Sequence, residues 1–216
     1  MTNLSPETII TRIITLVIAF TVHEFSHAWV ADRFGDNTPR ANGRLTLNPA
    51  VHLDLIGTLM LLVAGFGWAK PVPINPYALR RRSPAAVMLV SLAGPASNLV
   101  MAVLAAIPLR FHLIPFVSNW PGFLPTPQSF LFSFMLINIL LLLFNLIPLA
   151  PLDGEKVLEY FLPPAGVDFL DRIRPYGPMI LLAIVFVLPI LGFDLFGMIL
   201  TPLLRTISSL LIGVSV

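Results

Sequence analysis

The sequence predicts an all-α, polytopic membrane protein of about five transmembrane helices, with a re-entrant segment after the first span. Composition is the first reason: 56% of the 216 residues are hydrophobic and 11% charged, against about 25% charged in soluble domains. Mean hydropathy is +0.88. Bilayer-length apolar stretches recur along the chain, and its 21 prolines fall where membrane helices end or break. The expectation is one membrane-embedded domain over 1–216, with a core at 8–160 and a C-terminal helical pair at 175–213.

The first span is expected at 8–33. Ser5 or Thr8 can cap it, Pro6 suits a first helical turn, and Gly35 suits its end. No basic n-region or small-residue cleavage site precedes it, so it reads as a retained span rather than a signal peptide. Residues 35–82 carry Pro39, Pro49, Pro71, Pro73 and Pro76 together with much of the basic charge. Within them 44–47 alternates like a short strand. Prolines hold 68–75 extended, and the apolar stretch 53–66 is too short to cross, hence re-entrant.

A second span is expected at 84–108, where Ala93-Gly94-Pro95-Ala96-Ser97-Asn98 offers small residues for close helix approach. The loop 109–128 carries Phe111, Phe116, Trp120 and Phe123, suited to the membrane interface. A third span at 129–148 carries Asn138 and Asn145 and is broken by Pro148 and Pro151 just before Asp153. From Gly154 a short interfacial helix is expected. Apolar stretches at 175–191 and 194–211 close the chain as two spans or a helical hairpin. Arg33, Arg40, Arg44, Lys70, Arg80, Arg81 and Arg82 follow span one, and Lys156, Arg172 and Arg174 follow span three. The positive-inside rule therefore puts those ends in the cytoplasm.

Chemistry concentrates in Val22-His23-Glu24-Phe25-Ser26-His27-Ala28. Residues four apart share a helix face, so His23 and His27 can offer two imidazoles to one ion while Glu24 serves as base. That H-E-x-x-H arrangement is the zinc metalloprotease one. A carboxylate at membrane depth is costly, roughly 2.5–3.5 kcal/mol on insertion scales, and marks function by default. The chain has no cysteine, so the metal must be held by His, Asp or Glu. A net charge of +2 with basic residues at membrane edges implies no nucleic-acid partner.

A catalytic zinc keeps three protein ligands and one open position. The third histidine of the longer H-E-x-x-H-x-x-G-x-x-H pattern is absent, leaving Asp153, His52, Asp54, Asp32 and Glu155. Asp153 is favoured because it follows a broken membrane helix at similar expected depth, with His52 or Asp54 next. Asn98 and Asn145 are amides near that depth. They would orient substrate or steady an oxyanion, or else bond between helices. Asn75 and His52 are further candidates for substrate contact.

Together these segments resemble the site-2 protease family of intramembrane metalloproteases. The resemblance runs to about residue 160. It rests on His23-Glu24-x-x-His27, Asn48-Pro49 with His52-x-Asp54 and Gly57-Thr58, the run Gly67 to Pro76, Ala93-Gly94-Pro95-x-x-Asn98, and Asn145-Leu146-Ile147-Pro148 to Pro151-Leu152-Asp153-Gly154. One departure is Leu55, where many relatives have proline. The resemblance implies Asp153 as third zinc ligand and a membrane-associated β-hairpin in the proline-rich region. It also implies a minimal member, with no room for a PDZ or CBS module.

The function expected is an intramembrane zinc metalloendopeptidase that uses one Zn2+ and Glu24 as general base. Its partners would be membrane-spanning protein substrates and a possible regulatory membrane protein. The expected location is a bacterial or archaeal plasma membrane, with the site toward the cytoplasm. The alternative is a membrane zinc-binding or zinc-transport protein without proteolytic activity. That class wants several ligands along a path, and spans two, four and five offer almost none.

Overall fold

The structure is a computed structural model and describes residues 5–64, 67–115 and 120–213. Phe66, at the end of the expected re-entrant stretch, and Phe116, among the expected interfacial aromatics, lie outside these residues. Among the described residues five helices are long and apolar enough to cross a membrane. They are α1 (Pro6–Arg33), α4 (Ala86–Arg110), α5 (Pro127–Asn145), α7 (Pro164–Ile190) and α8 (Leu195–Ile212). Shorter helices sit between them, among them α2 (Leu55–Ala64), α3 (Pro76–Arg82) and α6 (Asp153–Phe161).

Local chemistry accounts for the helix starts. The Ser5 side chain accepts from the Thr8 N–H, with Pro6 in the first turn of α1. Thr126 and Asp194 cap α5 and α8 in the same way. Helix α2 has 10 residues, about 15 Å of rise. That is half of a ~30 Å hydrocarbon core, as a re-entrant segment requires. Helix α7 begins well before the apolar stretch at 175–191. Its charged first turns around Asp168, Asp171 and Arg172 had masked the continuity, and the helix passes Pro175 through a tight 3₁₀ turn at Arg174–Tyr176.

Helices α1, α4 and α5 pack against one another, α6 lies on α4, and α8 covers α4 and α5. Lipid is as apolar as a leucine side chain, so close contact rather than exclusion from water joins these helices. Small residues permit it: Ala19, Ala28 and Ala31 on α1 and Ala102 on α4 are fully enclosed. Ala105 and Ala106 complete a cluster with Met135 and Ile139 of α5, against which Leu204, Ile207 and Leu211 of α8 rest. Ile13, Ile14, Ile18, Leu104 and Leu140 are exposed, on the faces that would meet lipid.

One end of the bundle is tied by charge. Glu159 pairs with Arg80 at 2.5 Å, Lys156 at 3.1 Å and Arg174 at 2.7 Å, joining α3, α6 and the base of α7. Burial raises the Glu159 carboxyl, but Lys156, Arg174 and Arg80 more than offset this and hold it below its ordinary range.

The expected β-hairpin is not present among the described residues. Residues 44–47 form no strand, and 67–75 run extended without a ladder. Among the described residues one antiparallel bridge forms, Leu53 to Ala69, with the Lys70 N–H donating to the His52 carbonyl at 2.8 Å. The next donor on that side, the Val72 N–H, goes to Glu24 instead, and the facing residues Pro49–Val51 turn in a 3₁₀ helix, so no ladder propagates. A side chain takes its place. Arg44, only 5% exposed, donates to the carbonyls of Val51 at 2.6 Å, Lys70 at 3.1 Å and Pro71 at 3.1 Å. The Asn75 N–H donates to Asp36 at 2.6 Å. A Cβ at Gly57 would strike the Trp68 carbonyl, so glycine lets α2 start against this segment.

Candidate metal centre and its cavity

Helix α1 places His23 and His27 one turn apart on its buried face. Each ring is fixed through Nδ1. That atom of His27 lies 2.7 Å from the Val90 carbonyl, and that of His23 lies 2.6 Å from Oδ1 of Asn98. Asn98 is itself oriented, because its Nδ2 donates to Asn138 Oδ1 at 3.0 Å and Asn138 Nδ2 donates to the Phe134 carbonyl at 2.8 Å. Both Nδ1 atoms therefore face acceptors and must carry hydrogen. Both Nε2 atoms are left as lone pairs.

Those two Nε2 atoms are 3.0 Å apart. Oδ2 of Asp153 approaches them at 3.2 and 3.4 Å. It is buried with no hydrogen-bond partner. Three electron pairs facing each other repel unless a cation lies between them. Zinc bonds of about 2.0–2.1 Å at tetrahedral angles would set ligand atoms roughly 3.3–3.4 Å apart, close to the separations here. Among the described residues, His23, His27 and Asp153 form the one group of three able to share an ion.

Two glycines make room for this meeting. A Cβ at Gly94 would lie 2.5 Å from His23 Nε2 and against His27 Nε2, filling the place between the imidazoles and α4. A Cβ at Gly154 would strike the carbonyls of Leu146 and Ile147. Its absence lets the start of α6 fold under the end of α5 and carry Asp153 inward. The residues present thus fit a zinc ion by donor set, spacing and free room.

Beside these three side chains opens a cavity of about 250 Å³, lined by Glu24, Trp68, Ala69, Val72, Ser91 and Asn145 among others. Glu24 is 8% exposed, and its Oε2 accepts the Val72 N–H at 3.2 Å. Asn145 lines the cavity while its Nδ2 donates to the Leu141 carbonyl at 3.0 Å.

The other residues singled out from sequence lie elsewhere. Asn98 is fully buried, with its amide divided between His23 and Asn138. Asn75 caps α3 through the Ala78 N–H. His52 is fully enclosed and bonds the Thr46 carbonyl at 2.8 Å. Asp32 pairs with Arg40, Glu155 with Arg174, and Asp54 accepts the Gly57 N–H. None of those carboxylates joins the imidazoles. Ser91 and the steric role of Gly94 were not read from sequence. A glycine three residues past a serine on an expected membrane helix was the available signal.

The Asn98 bond to a ligand histidine has a measurable consequence. Partners of this kind set the tautomer and basicity of the ligand. Asn98→Ala is expected to weaken zinc binding about 10- to 100-fold, read by competition with a calibrated chelator. Wild-type affinity in that variant would show the bond to be idle.

Comparison with known proteins agrees with this chemistry. The chain is 41% identical to "Putative zinc metalloprotease YwhC" of Bacillus subtilis over 186 residues, 86% of this chain and 84% of that one. It is 34% identical to "Putative zinc metalloprotease Rip2" of Mycobacterium tuberculosis, over 85% of this chain and 69% of the relative. The Rip2 of Mycolicibacterium smegmatis is also 34% identical, over 78% of this chain and 63% of its own length. No family model matches the chain, and no solved structure matches it.

Proposed function

The chain belongs to the site-2 protease family of zinc metalloproteases, and from that premise we propose that it is an intramembrane endopeptidase. It hydrolyses peptide bonds in or near the transmembrane segments of other membrane proteins. The observation that carries this reading is the meeting of two imidazole lone pairs and an unpartnered carboxylate oxygen beside Glu24, at the wall of a cavity between membrane helices.

His23, His27 and Asp153 would hold the zinc. When bound, that ion supplies Lewis acidity, which draws water toward ionisation near neutral pH and polarises a carbonyl. Glu24 takes the proton of the attacking water at a carboxylate oxygen. As the water oxygen joins the carbonyl carbon and the C–N bond breaks, Glu24 returns that proton to the leaving nitrogen. Asn145, at the cavity wall, would orient the substrate backbone.

A substrate helix hides its own amides and must be drawn out into extended form. Ala69 lines the cavity, and its N–H and C=O are engaged by no other described residue. A short stretch of substrate would pair there by strand addition. The excess of Lys and Arg at the end near His27 supports an opening toward the cytoplasm of a bacterial or archaeal plasma membrane. A further membrane protein would present or withhold the substrate.

The test is reversible metal removal. Purified protein in liposomes should cleave a single-span peptide, stop after dialysis against a zinc chelator, and regain its rate on adding about one equivalent of zinc. Cleavage that survives verified removal of zinc would sink the proposal.

A further inference from the structure

Helix α4 presents one face to the metal centre. Ser91, Gly94 and Asn98 follow at spacings of three and four and share that face. Asn98 steadies His23, and Gly94 leaves room for the ion. Ser91 has no role in the mechanism so far.

Its hydroxyl is not tied to its own helix and borders the cavity. Ser91 is 5% exposed, lines the cavity, and makes no side-chain hydrogen bond among the described residues. Several helix hydroxyls turn back to their own backbone: Thr21 donates to the Val17 carbonyl, Ser26 to Val22, Ser97 to Gly94, and Ser208 to Arg205, whereas Thr15, buried on α1, has no partner and does not line the cavity. That back-bond is the ordinary solution for serine or threonine in an apolar helix. The Ser91 hydroxyl lacks that bond and is not sealed from the cavity, so it is free to take another partner there. The backbone is marked as well. Pro95 has no N–H to give the Ser91 carbonyl its regular helical donor. Donor and acceptor groups at one residue therefore stand beside the ion's place, complementary to a peptide unit. Asn98, by contrast, lies outside the cavity lining.

We propose that Ser91 is a catalytic residue of this peptidase. Its hydroxyl donates a hydrogen bond to the scissile carbonyl oxygen, and the bond strengthens as that oxygen gains negative charge. No covalent bond forms to Ser91, and its proton stays on the hydroxyl. This inference rests on the endopeptidase reading above.

The test compares zinc-loaded wild type with Ser91→Ala on a panel of single-span peptides in liposomes, with affinity for a phosphinate peptide analogue as a second readout. Alanine suits a helix interior, so the variant should keep its zinc content and melting temperature. The expected result is a kcat lower by about 100- to 1000-fold, KM within about 2-fold, and a matching loss of phosphinate affinity. Wild-type kcat in Ser91→Ala overturns the inference. So does a fall in kcat that tracks lost zinc, or one that leaves phosphinate affinity intact. A wild type that holds zinc and cleaves no peptide overturns the endopeptidase reading and this inference together. Active wild type beside equally active Ser91→Ala overturns the inference alone.

Discussion

Replacing Glu24 by glutamine should lower peptide cleavage by about a thousand-fold or more while leaving zinc content unchanged. The two side chains have nearly the same shape. Glutamine keeps a carbonyl oxygen to accept the Val72 N–H that Oε2 accepts now, so the extended wall of the cavity should stay in place. Glu24 lies outside the group of three proposed ligands, so the ion should stay too. What glutamine lacks is a site for a proton near neutral pH. Removing a carboxylate from membrane depth also relieves a cost of roughly 2.5–3.5 kcal/mol, so the variant should be at least as stable as wild type. Rate, bound zinc and melting temperature measured on one preparation decide the matter. Residual activity above a tenth of wild type, with zinc fully bound, would remove Glu24 from the role of base.

Gly94→Ala is expected to abolish zinc binding in a protein that still folds. By local preference the change is favourable, since alanine in a helix interior is better than glycine by about 0.8–1 kcal/mol. By position it is not. The new methyl group would occupy the place between α4 and the Nε2 atoms of His23 and His27. The rings cannot swing aside without losing the Nδ1 contacts at 2.6 and 2.7 Å to Asn98 and the Val90 carbonyl. Zinc content by mass spectrometry should fall below a tenth of an equivalent, while thermal unfolding stays near that of the metal-free wild type. Retention of a full equivalent would mean that the ion sits away from α4, and the proposed ligand geometry would have to be redrawn.

Much of this centre was legible in the chain. Two histidines and a glutamate in one helical turn, without a cysteine anywhere, declare an oxygen- and nitrogen-bound metal. Asp153 could be reached because Pro148 and Pro151 had to break the helix that carries it to depth. The proline-rich stretch was harder. Alternation at 44–47 looked like a strand, and its arginine looked like one more basic residue near the membrane. Instead Arg44 turns inward and takes backbone carbonyls that a partner strand would have satisfied, a choice that depends on what lies across the fold. Asn98 shows a similar limit. An amide at site depth serves substrate or helix contact equally well on paper, and only the position of His23 decides between them. Ser91 was silent because a serine on a membrane helix is ordinary until its missing back-bond is seen.

The ligands are far apart along the chain: His23 and His27 belong to its first part, Asp153 to its last third. A ribosome releases them in that order. A polypeptide halted anywhere before residue 153 carries the nitrogen pair and lacks the oxygen that completes it. On the proposed reading, hydrolytic competence is thus withheld from every copy halted before that residue, and a nascent chain threading past other proteins at the insertion machinery travels unarmed until then.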